Sequence, residues 1–391
     1  MNDLNKKYLV KNKRSVQVCT RCIYDEDIPE INFDNKGVCN YCYILEDIKK
    51  KNYFGTEKAK LNLDKIIFQA KVKGKGKKYD AVVGVSGGVD SSYLLYYLQK
   101  RGLRLLAAHY DNTWNSNIST MNIRNLLKSL NIDLYTHVIN NKEADDIFKS
   151  FFIAGVPEIE ASTDLALSEV LHRAASKYKV KYIFEGHSLS TESITPLGKN
   201  YFDGRYIKEI HKRYGCMKMK TYPLMTLSKF LYWKIVKRIK FIRPFWYIEY
   251  SKEKAREFLE KNFEWKYYGG HHLENKMTQF YHQVYNPKKF NLDLRCNSLS
   301  SLVRNKKISR LNAWKEFIEE KPDIKDIEHY FCKRMGFNKK FYKSKMKENP
   351  RYWKEFPTYK KIFEILSPLF YILLKLQLVP ESFYIKYCKN K

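Results

Sequence analysis

Residues 82–92 read VVGVSGGVDSS, an apolar run that stops at a small, glycine-rich turn. The run YDAVVGV (79–85) is short, rich in valine and bounded by glycines, which fits a strand buried on both faces of a parallel sheet. After the turn, YLLYYLQKRG (93–102) carries apolar residues at helical spacing up to a closing Gly102. The turn therefore joins a strand to a helix N-terminus. Free main-chain N–H groups and the positive end of the helix dipole favour an anion there, and Gly87 and Gly88 let phosphate oxygens approach the backbone. An ordinary glycine turn is the plain alternative, and it leaves Asp90 without a role.

The commonest nucleotide loop closes on Gly-Lys-Ser/Thr and sets its lysine on the β- and γ-phosphates. No lysine stands here. The order Ser86-Gly87-Gly88-Val89-Asp90-Ser91 instead resembles the pyrophosphate loop (PP-loop) of the ATP-pyrophosphatase enzymes. That resemblance implies a Rossmann-like adenine nucleotide α-hydrolase core of the α/β class. Enzymes of this kind hold the β,γ-pyrophosphate of ATP as a leaving group while a substrate oxygen attacks the α-phosphate. It implies ATP contacts from Val85, Ser86, Gly87, Gly88, Asp90, Ser91 and Ser92, with Ser86, Asp90 and Ser91 as the catalytic set.

The next stretch extends the pattern. RLLAAHYDNTW (104–114) reads as a second buried strand, ending in Asp111 where open parallel sheets present their ligand-binding edge. A helical pattern over 118–130 and a third strand, LYTHVI, give a β-α-β-α-β order. A fourth strand, KYIFEGH, ends at Gly186 and His187, with Glu192 just beyond. In the resembled superfamily this later loop closes over the nucleotide, so Asp111, Gly186 and His187 are expected at ATP, and Glu192 with Asp90 at Mg²⁺. A solvated loop glutamate is the alternative for Glu192. Asp164, in ASTDLALSEVL, reads on spacing as a helix cap.

At 391 residues the chain is long enough for two or three compact units. A formal net charge of +31 attracts phosphates, nucleic acid or anionic membranes, but the excess is spread through a sequence crowded with Asn, Ile, Tyr and Phe and names no partner by itself. The opening MNDLNKKYLVKNKRS has no apolar core of a cleavable signal, and a cytoplasmic location is expected. Two long apolar stretches, residues 223–248 and KIFEILSPLFYILLKLQLV (361–379), are interrupted by charges and do not read as spanning helices. Buried helices with snorkelling lysines are expected, with peripheral contact to a membrane surface as the alternative.

Cys19 and Cys22 form CTRC, Cys39 and Cys42 form CNYC, and sixteen residues separate the pairs. Two such knuckles present four sulfurs to one tetrahedral ion and hold together a segment too small for a core of its own. Structural Zn²⁺ is expected; an iron–sulfur cluster is the alternative, and disulfides are disfavoured in a cytoplasmic setting. Cys216, Cys296, Cys332 and Cys388 are scattered singly and read as ordinary thiols. KVKGKGKKYD (71–80) reads as a hinge. The expected division is a zinc-binding module with its linker over 1–70, a PP-loop domain over 71–215, and a mostly helical substrate- or partner-binding region over 216–391.

A second dense block, WKYYGGHHLENKMTQFYHQVYNPKKFNLDLR (265–295), combines glycines, histidines, a glutamate, aromatics and cations, a surface of the type that binds sugars, bases or phosphates. An aromatic core strip with a basic exposed face is the alternative. A zinc site from His271, His272 and Glu274 is disfavoured, because adjacent histidines do not share a helix face and the H-E-x-x-H order is absent.

Taken in order, CTRCIYDEDIPEINFDNKGVCNYC, SGGVDSSYLLYYL and YYGGHHLENKMTQFYHQVYNPKKFNLDLR resemble the N-acetyl sugar amidotransferase family. These surface-polysaccharide enzymes are similar to the pseudaminic acid and lipopolysaccharide amidotransferases. The likeness implies that ATP adenylates the acetamido oxygen of a nucleotide-linked N-acetyl sugar and that ammonia then displaces AMP, leaving an acetamidino group. It implies substrate contacts from Tyr268, Gly269, Gly270, His271, His272, Glu274, Lys288, Lys289 and Arg295. No glutaminase cysteine–histidine signature is evident, so a separate glutamine amidotransferase and a cyclase-like ammonia-conducting partner are implied, and no nucleic acid is expected. The chain departs from the family in GGHHLE, where a histidine replaces an expected lysine, and in DLRCNSLSSLV, where Asn297 and Ser298 replace an expected histidine. The rival is tRNA thiolation, whose enzymes also join zinc knuckles to a pyrophosphate loop and whose substrate suits a basic protein. The lack of paired cysteines after Cys42 weighs against it. Erosion of the loop would mark a dead scaffold, and Asp90 and Ser91 are intact.

Overall fold

The computed structural model describes residues 10–11, 14–192, 201–270, 273–319 and 324–388. Two short antiparallel strands, β1 (Val10–Lys11) and β2 (Arg14–Ser15), precede the cysteine module. The centre is a parallel sheet of β3 (Ala81–Gly84), β4 (Leu105–Asp111), β5 (Asp133–Val138), β6 (Tyr182–Phe184) and β7 (Lys240–Ile242), in the spatial order β5-β4-β3-β6-β7. Side chains alternate across it, as strand geometry requires. Ala81, Val83, Leu105 and Ala107 join the Leu63, Leu94, Leu98 and Leu126 cluster, while Val82, Leu106 and Ala108 meet Leu171, Ala174 and Ala175 on the other face. Apolar residues at every position are therefore needed, which is why these strands read as unbroken runs.

The chain moves outward from β3 through β4 to β5, then returns to lay β6 on the other side of β3. That reversal opens a crevice at the carboxyl end of β3, the place where doubly wound sheets bind ligands. The helix Val89–Lys100 begins there.

Three local expectations change. The stretch 71–80 is not a hinge from its start: the helix Glu57–Gly74 runs into it, and Gly74 is packed so tightly on Asp80 that no side chain fits. Asp80 is buried and takes a guanidinium nitrogen of Arg104 at 2.6 Å, so this corner is a fixed joint. Residues 223–248 do not form one buried helix. They form a short helix Leu227–Leu231, a π-helical turn Tyr232–Val236, strand β7 and a 3₁₀ turn Pro244–Trp246; Arg238 at φ 50° and Pro244 prevent a continuous helix. Asp164 lies in the first turn of the helix Ala161–Lys177, whose N-cap is Glu160. The fifth strand thus comes from within the expected helical region, and Leu63, Ile66 and Ile67 from within the expected linker pack against the sheet.

The remainder is helical. In the second block Met277, Phe280, Val284 and Tyr285 are buried, with Phe280 stacked on Phe331 at 3.7 Å between ring centres, so this part is the aromatic core strip. No helix among the described residues is long and apolar enough to cross a membrane.

Candidate active site

Gly87 has φ +81°, and a Cβ there would run into the carbonyl oxygen of Ser119. Only glycine makes this turn. Gly88 caps the helix Val89–Lys100 with extended backbone, and a Cβ on it would lie 3.1 Å from Glu274 Oε1, 3.2 Å from Ser86 Oγ and 3.2 Å from the Tyr268 hydroxyl. The floor of the crevice is thus main chain, and two residues from the second sequence block lie over it. Gly88 N–H donates to Ser86 Oγ at 3.3 Å, Ser86 N–H to Ser91 Oγ at 3.3 Å, and Val89 N–H to the Tyr268 hydroxyl at 3.4 Å. Ser86 Oγ in turn donates to Glu274 Oε1 at 3.4 Å.

Long-range hydrogen bonds hold that block in place. Trp265 Nε1 donates to Ser92 Oγ at 3.2 Å, and the Asn122 carboxamide exchanges two 2.8 Å bonds with the main chain of Lys266. Further on, Ser116 N–H and Ser119 Oγ both donate to the carbonyl of Glu274, at 2.8 and 3.0 Å. Asn275 Nδ2 bridges Asn112 Oδ1 at 2.9 Å and Asn115 Oδ1 at 3.1 Å.

Charge is concentrated beside the loop. Lys252 Nζ stands 3.0 Å from Asp90 Oδ2 with both side chains largely buried. Burial pulls the Lys252 ammonium down, but the carboxylates of Asp90, Glu192 and Glu274 outweigh it and hold it above its ordinary value. The hydroxyls of Tyr250 and Tyr268 are pushed up by burial first, then by Asp90 beside Tyr250 and by Glu274 and Asp90 beside Tyr268. Gly186 packs directly on the loop: a Cβ would lie 2.9 Å from the carbonyl carbon of Asp90 and 3.0 Å from Ser91 N. His187 Nδ1 accepts from Trp246 Nε1 at 3.1 Å, which leaves its Nε2, 3.2 Å from Glu192 Oε2, as the protonated nitrogen.

The structure therefore gathers Ser86, Gly87, Gly88, Asp90, Ser91, Gly186, His187, Glu192, Tyr268 and Glu274 around one crevice. Val85 is buried beneath it and Ser92 is taken up by Trp265. Asp111 Oδ1 accepts from Thr113 N–H at 2.7 Å and so shapes the turn leading to Asn115. Gly269, at φ +94°, and Gly270 follow Tyr268. His271 and His272 lie outside the described residues. Lys288, Lys289 and Arg295 make their contacts elsewhere: Lys288 with Glu328 at 2.6 Å, Lys289 with the carbonyls of Lys345 and Glu348 at 2.6 and 2.9 Å, and Arg295 with Asp293 at 2.6 Å. Sequence reasoning missed Lys252, Tyr250 and the four asparagines Asn112, Asn115, Asn122 and Asn275, none of which carries a local motif.

Asp90 Oδ1 is buried with no hydrogen-bond partner among the described residues. The Sγ atoms of Cys19, Cys22, Cys39 and Cys42 all lie within 4.8 Å of one another, and all four residues are buried. Their separations, 3.8 Å for Cys19–Cys42 and Cys22–Cys39 and 3.6 Å for Cys39–Cys42, are close to the edge, about 3.8 Å, of a tetrahedron with metal–sulfur bonds of ~2.3 Å. The module is joined to the active-site side of the molecule by the helix Arg295–Arg304. Arg304 Nη2 donates to Cys22 Sγ at 3.2 Å and Tyr24 OH to Asn297 Oδ1 at 2.9 Å, while Ser301 Oγ and Asn305 Nδ2 both donate to the carbonyl of Ser190 at 3.0 Å.

A parallel α/β core with a glycine-rich loop at its switch point, carboxylates around it and a four-cysteine cluster define the fold class: a PP-loop-type α/β core with an N-terminal four-cysteine module and a helical C-terminal region. Within that class, residues 274–369 match the family model for the C-terminal domain of WbpG-like LPS biosynthesis proteins. This bears out the resemblance to surface-polysaccharide enzymes, and the matched segment opens on Glu274, the residue that touches Ser86.

The chain is also 24% identical, over 188 residues, to the tRNA-specific 2-thiouridylase MnmA 2 of Fusobacterium nucleatum subsp. nucleatum. The aligned part covers 46% of this chain and 50% of that protein, so the chain spans about half the length of this curated relative. Similar solved structures include the U34-tRNA thiolase NcsA from Methanococcus maripaludis with its [4Fe-4S] cluster (16% identity, 79% of this chain and 91% of that one, TM-score 0.33). The NMN synthetase from Francisella tularensis gives 16% identity, 53% and 87% coverage and a TM-score of 0.29. The NH3-dependent NAD synthetase from Campylobacter jejuni subsp. jejuni gives 16%, 68% and 98%, and 0.29.

Proposed function

We propose that the chain is an ATP-dependent amidotransferase that converts the acetamido group of a nucleotide-linked N-acetyl sugar to an acetamidino group in surface-polysaccharide biosynthesis. The observation that carries this reading is the contact of Glu274, first residue of the WbpG-like segment, with Ser86 of the phosphate loop. The part of the chain that resembles the sugar enzymes touches the part built for ATP.

An amide carbonyl is a poor electrophile, so its oxygen must first become a leaving group. The acetamido oxygen attacks the α-phosphate, the bond to the β-phosphate breaks, and the amide N–H proton is lost as the O-adenylated imidate forms. Ammonia then adds at the imidate carbon, the C–O bond to AMP breaks, and the amidine remains. The loop's main-chain amides and the Lys252 ammonium are suited to the negative charge that builds on departing pyrophosphate. Asp90 and Glu192 would hold Mg²⁺, which neutralises phosphate charge when bound. Tyr268 and Glu274 stand where they would orient the substrate over the loop. The four sulfurs fit a single structural Zn²⁺. Ammonia would come from a partner glutamine amidotransferase through a cyclase-like subunit, in the cytoplasm where ATP and nucleotide sugars meet.

The test is incubation with ATP, ammonium and nucleotide-linked N-acetyl sugars, reading pyrophosphate and AMP release and, by mass spectrometry, the exchange of O for NH. Formation of ADP and orthophosphate would sink the reading. The similarity to the Fusobacterium nucleatum 2-thiouridylase favours a second one, tRNA thiolation. It requires pyrophosphate release that depends on tRNA and not on a nucleotide sugar.

A further inference from the structure

The two apolar stretches pack together in the structure, and each leaves apolar side chains exposed. Phe230 meets Phe370 at 6.3 Å and Phe383 at 4.8 Å between ring centres, inside a cluster with Phe363, Leu373 and Leu378. The helices Lys360–Ile365 and Ser367–Lys375 spend one face on that cluster. Ile365 at the end of the first helix, Ile372 in the second and Leu376 just past its end are 76%, 56% and 55% exposed. Pro368 and Tyr371 are exposed beside them. On the partner element Val236 is 64% exposed, and Tyr232 and Ile235 are exposed with it. Surface apolar residues scattered singly need no explanation, but eight on two stretches packed together do.

Positive charge predominates in the sequence around these residues. Between Glu209 and Glu249 the chain has ten lysines and arginines and no acidic residue, and between Glu364 and Glu381 it has Lys375 alone. The flanking carboxylates are committed, Glu364 to Lys360 at 3.1 Å and Glu381 to Lys51 at 3.2 Å. Arg238, Lys361 and Lys375 are exposed, and Lys237 and Lys375 lie over the rings of Tyr232 and Tyr371 at 5.5 and 5.2 Å. Aliphatic side chains, tyrosines and unopposed cations together are the makeup of elements that lie in a lipid interface. The core of a protein–protein interface is depleted in lysine.

We propose that this face docks the protein on a membrane surface bearing anionic lipid headgroups, with Val236, Ile365, Ile372 and Leu376 entering the interface and Arg238, Lys361 and Lys375 meeting the headgroups. The proposal goes beyond the catalytic reading and does not depend on it.

Co-sedimentation of the full chain with vesicles tests it. The protein is expected to pellet with phosphatidylcholine vesicles doped with phosphatidylglycerol, to stay in solution with phosphatidylcholine alone, and to be released by salt. The variant Ile365→Asp/Ile372→Asp should lower partitioning about tenfold or more with unchanged thermal melting, since both positions are exposed. Lys361→Glu/Lys375→Glu should weaken binding to the anionic vesicles and flatten its salt dependence. Failure of the native chain to pellet, or full binding by both variants, would overturn the proposal. So would a dimer abolished by the aspartate pair in a chain that ignores vesicles, which would assign the face to a second copy.

Discussion

Lys252 Nζ lies 3.0 Å from Asp90 Oδ2, beside a phosphate loop that contains no lysine of its own. The helix Lys252–Asn262 starts at this residue and so aims its first side chain at the start of the helix Val89–Lys100. Commoner nucleotide loops carry a cation within the motif; here a lysine from a distant segment stands beside the loop.

Lys252→Ala should therefore damage both the fold and the reaction. Asp90, Glu192 and Glu274 would face one another without the ammonium, costing about 1–3 kcal/mol in denaturant unfolding. Pyrophosphate release should fall on the order of a hundredfold, and Lys252→Arg should recover part of both. Unchanged turnover in the alanine variant would remove Lys252 from the mechanism.

Gly88→Val is expected to abolish AMP formation. Its side chain would enter the space between Ser86 Oγ, Glu274 Oε1 and the Tyr268 hydroxyl, 3.1–3.2 Å from where its Cβ must sit. The backbone there is extended, at φ −75° and ψ 165°, so valine adopts it and the fold should survive. Gly87→Ala differs, because φ +81° and the Ser119 carbonyl both oppose a side chain, and it should lower stability as well as activity. Pyrophosphate assays beside thermal melts separate the two cases.

Removing the metal, by chelation or by Cys39→Ser, should unfold the N-terminal module, whose core among the described residues is built on the cysteines themselves. The loss should reach the active site. Arg304 and Asn297 of the Arg295–Arg304 helix bond to the module, and Ser301 and the adjoining Asn305 hold the Ser190 carbonyl next to Glu192. A weaker affinity for ATP in the metal-free protein, read by calorimetry, is the expected outcome; unaltered affinity and melting with all four thiols free would contradict it.

Lys234 does not snorkel. It is 1% exposed, donates to His172 Nε2 at 3.0 Å and to the Ile239 carbonyl at 3.2 Å, and burial brings it down to about 7 from 10.5. His172 Nδ1 lies 2.7 Å from the Ser168 carbonyl and is its donor, leaving Nε2 as the acceptor. Because the folded value lies below the unfolded one, the unfolded chain holds the extra proton between about 7 and 10.5. Stability from this group therefore rises with pH across that window, by up to about 1.4 kcal/mol per pH unit, and is lost as pH falls through 7. Lys234→Met should flatten the profile of urea midpoints against pH; parallel profiles for the two proteins would refute the assignment.

Strand β3, the glycine turn and the helix after it were legible in the sequence because each rests on local properties: a fully buried strand needs apolar residues at every position, and only glycine turns back with φ near +80°. The cysteine cluster was legible for a similar reason, since two C-x-x-C turns bring their own sulfurs together wherever they occur. The pairing of Lys252 with Asp90, of Trp265 with Ser92 and of Asn275 with Asn112 joins residues 162, 173 and 163 positions apart, and no local pattern encodes such a meeting. The same limit applies to residues 223–248 and 361–379. Their apolar character was plain in the sequence, but whether Phe370 would be covered and Ile372 left facing outward depended on which elements the rest of the chain had available to pack against them.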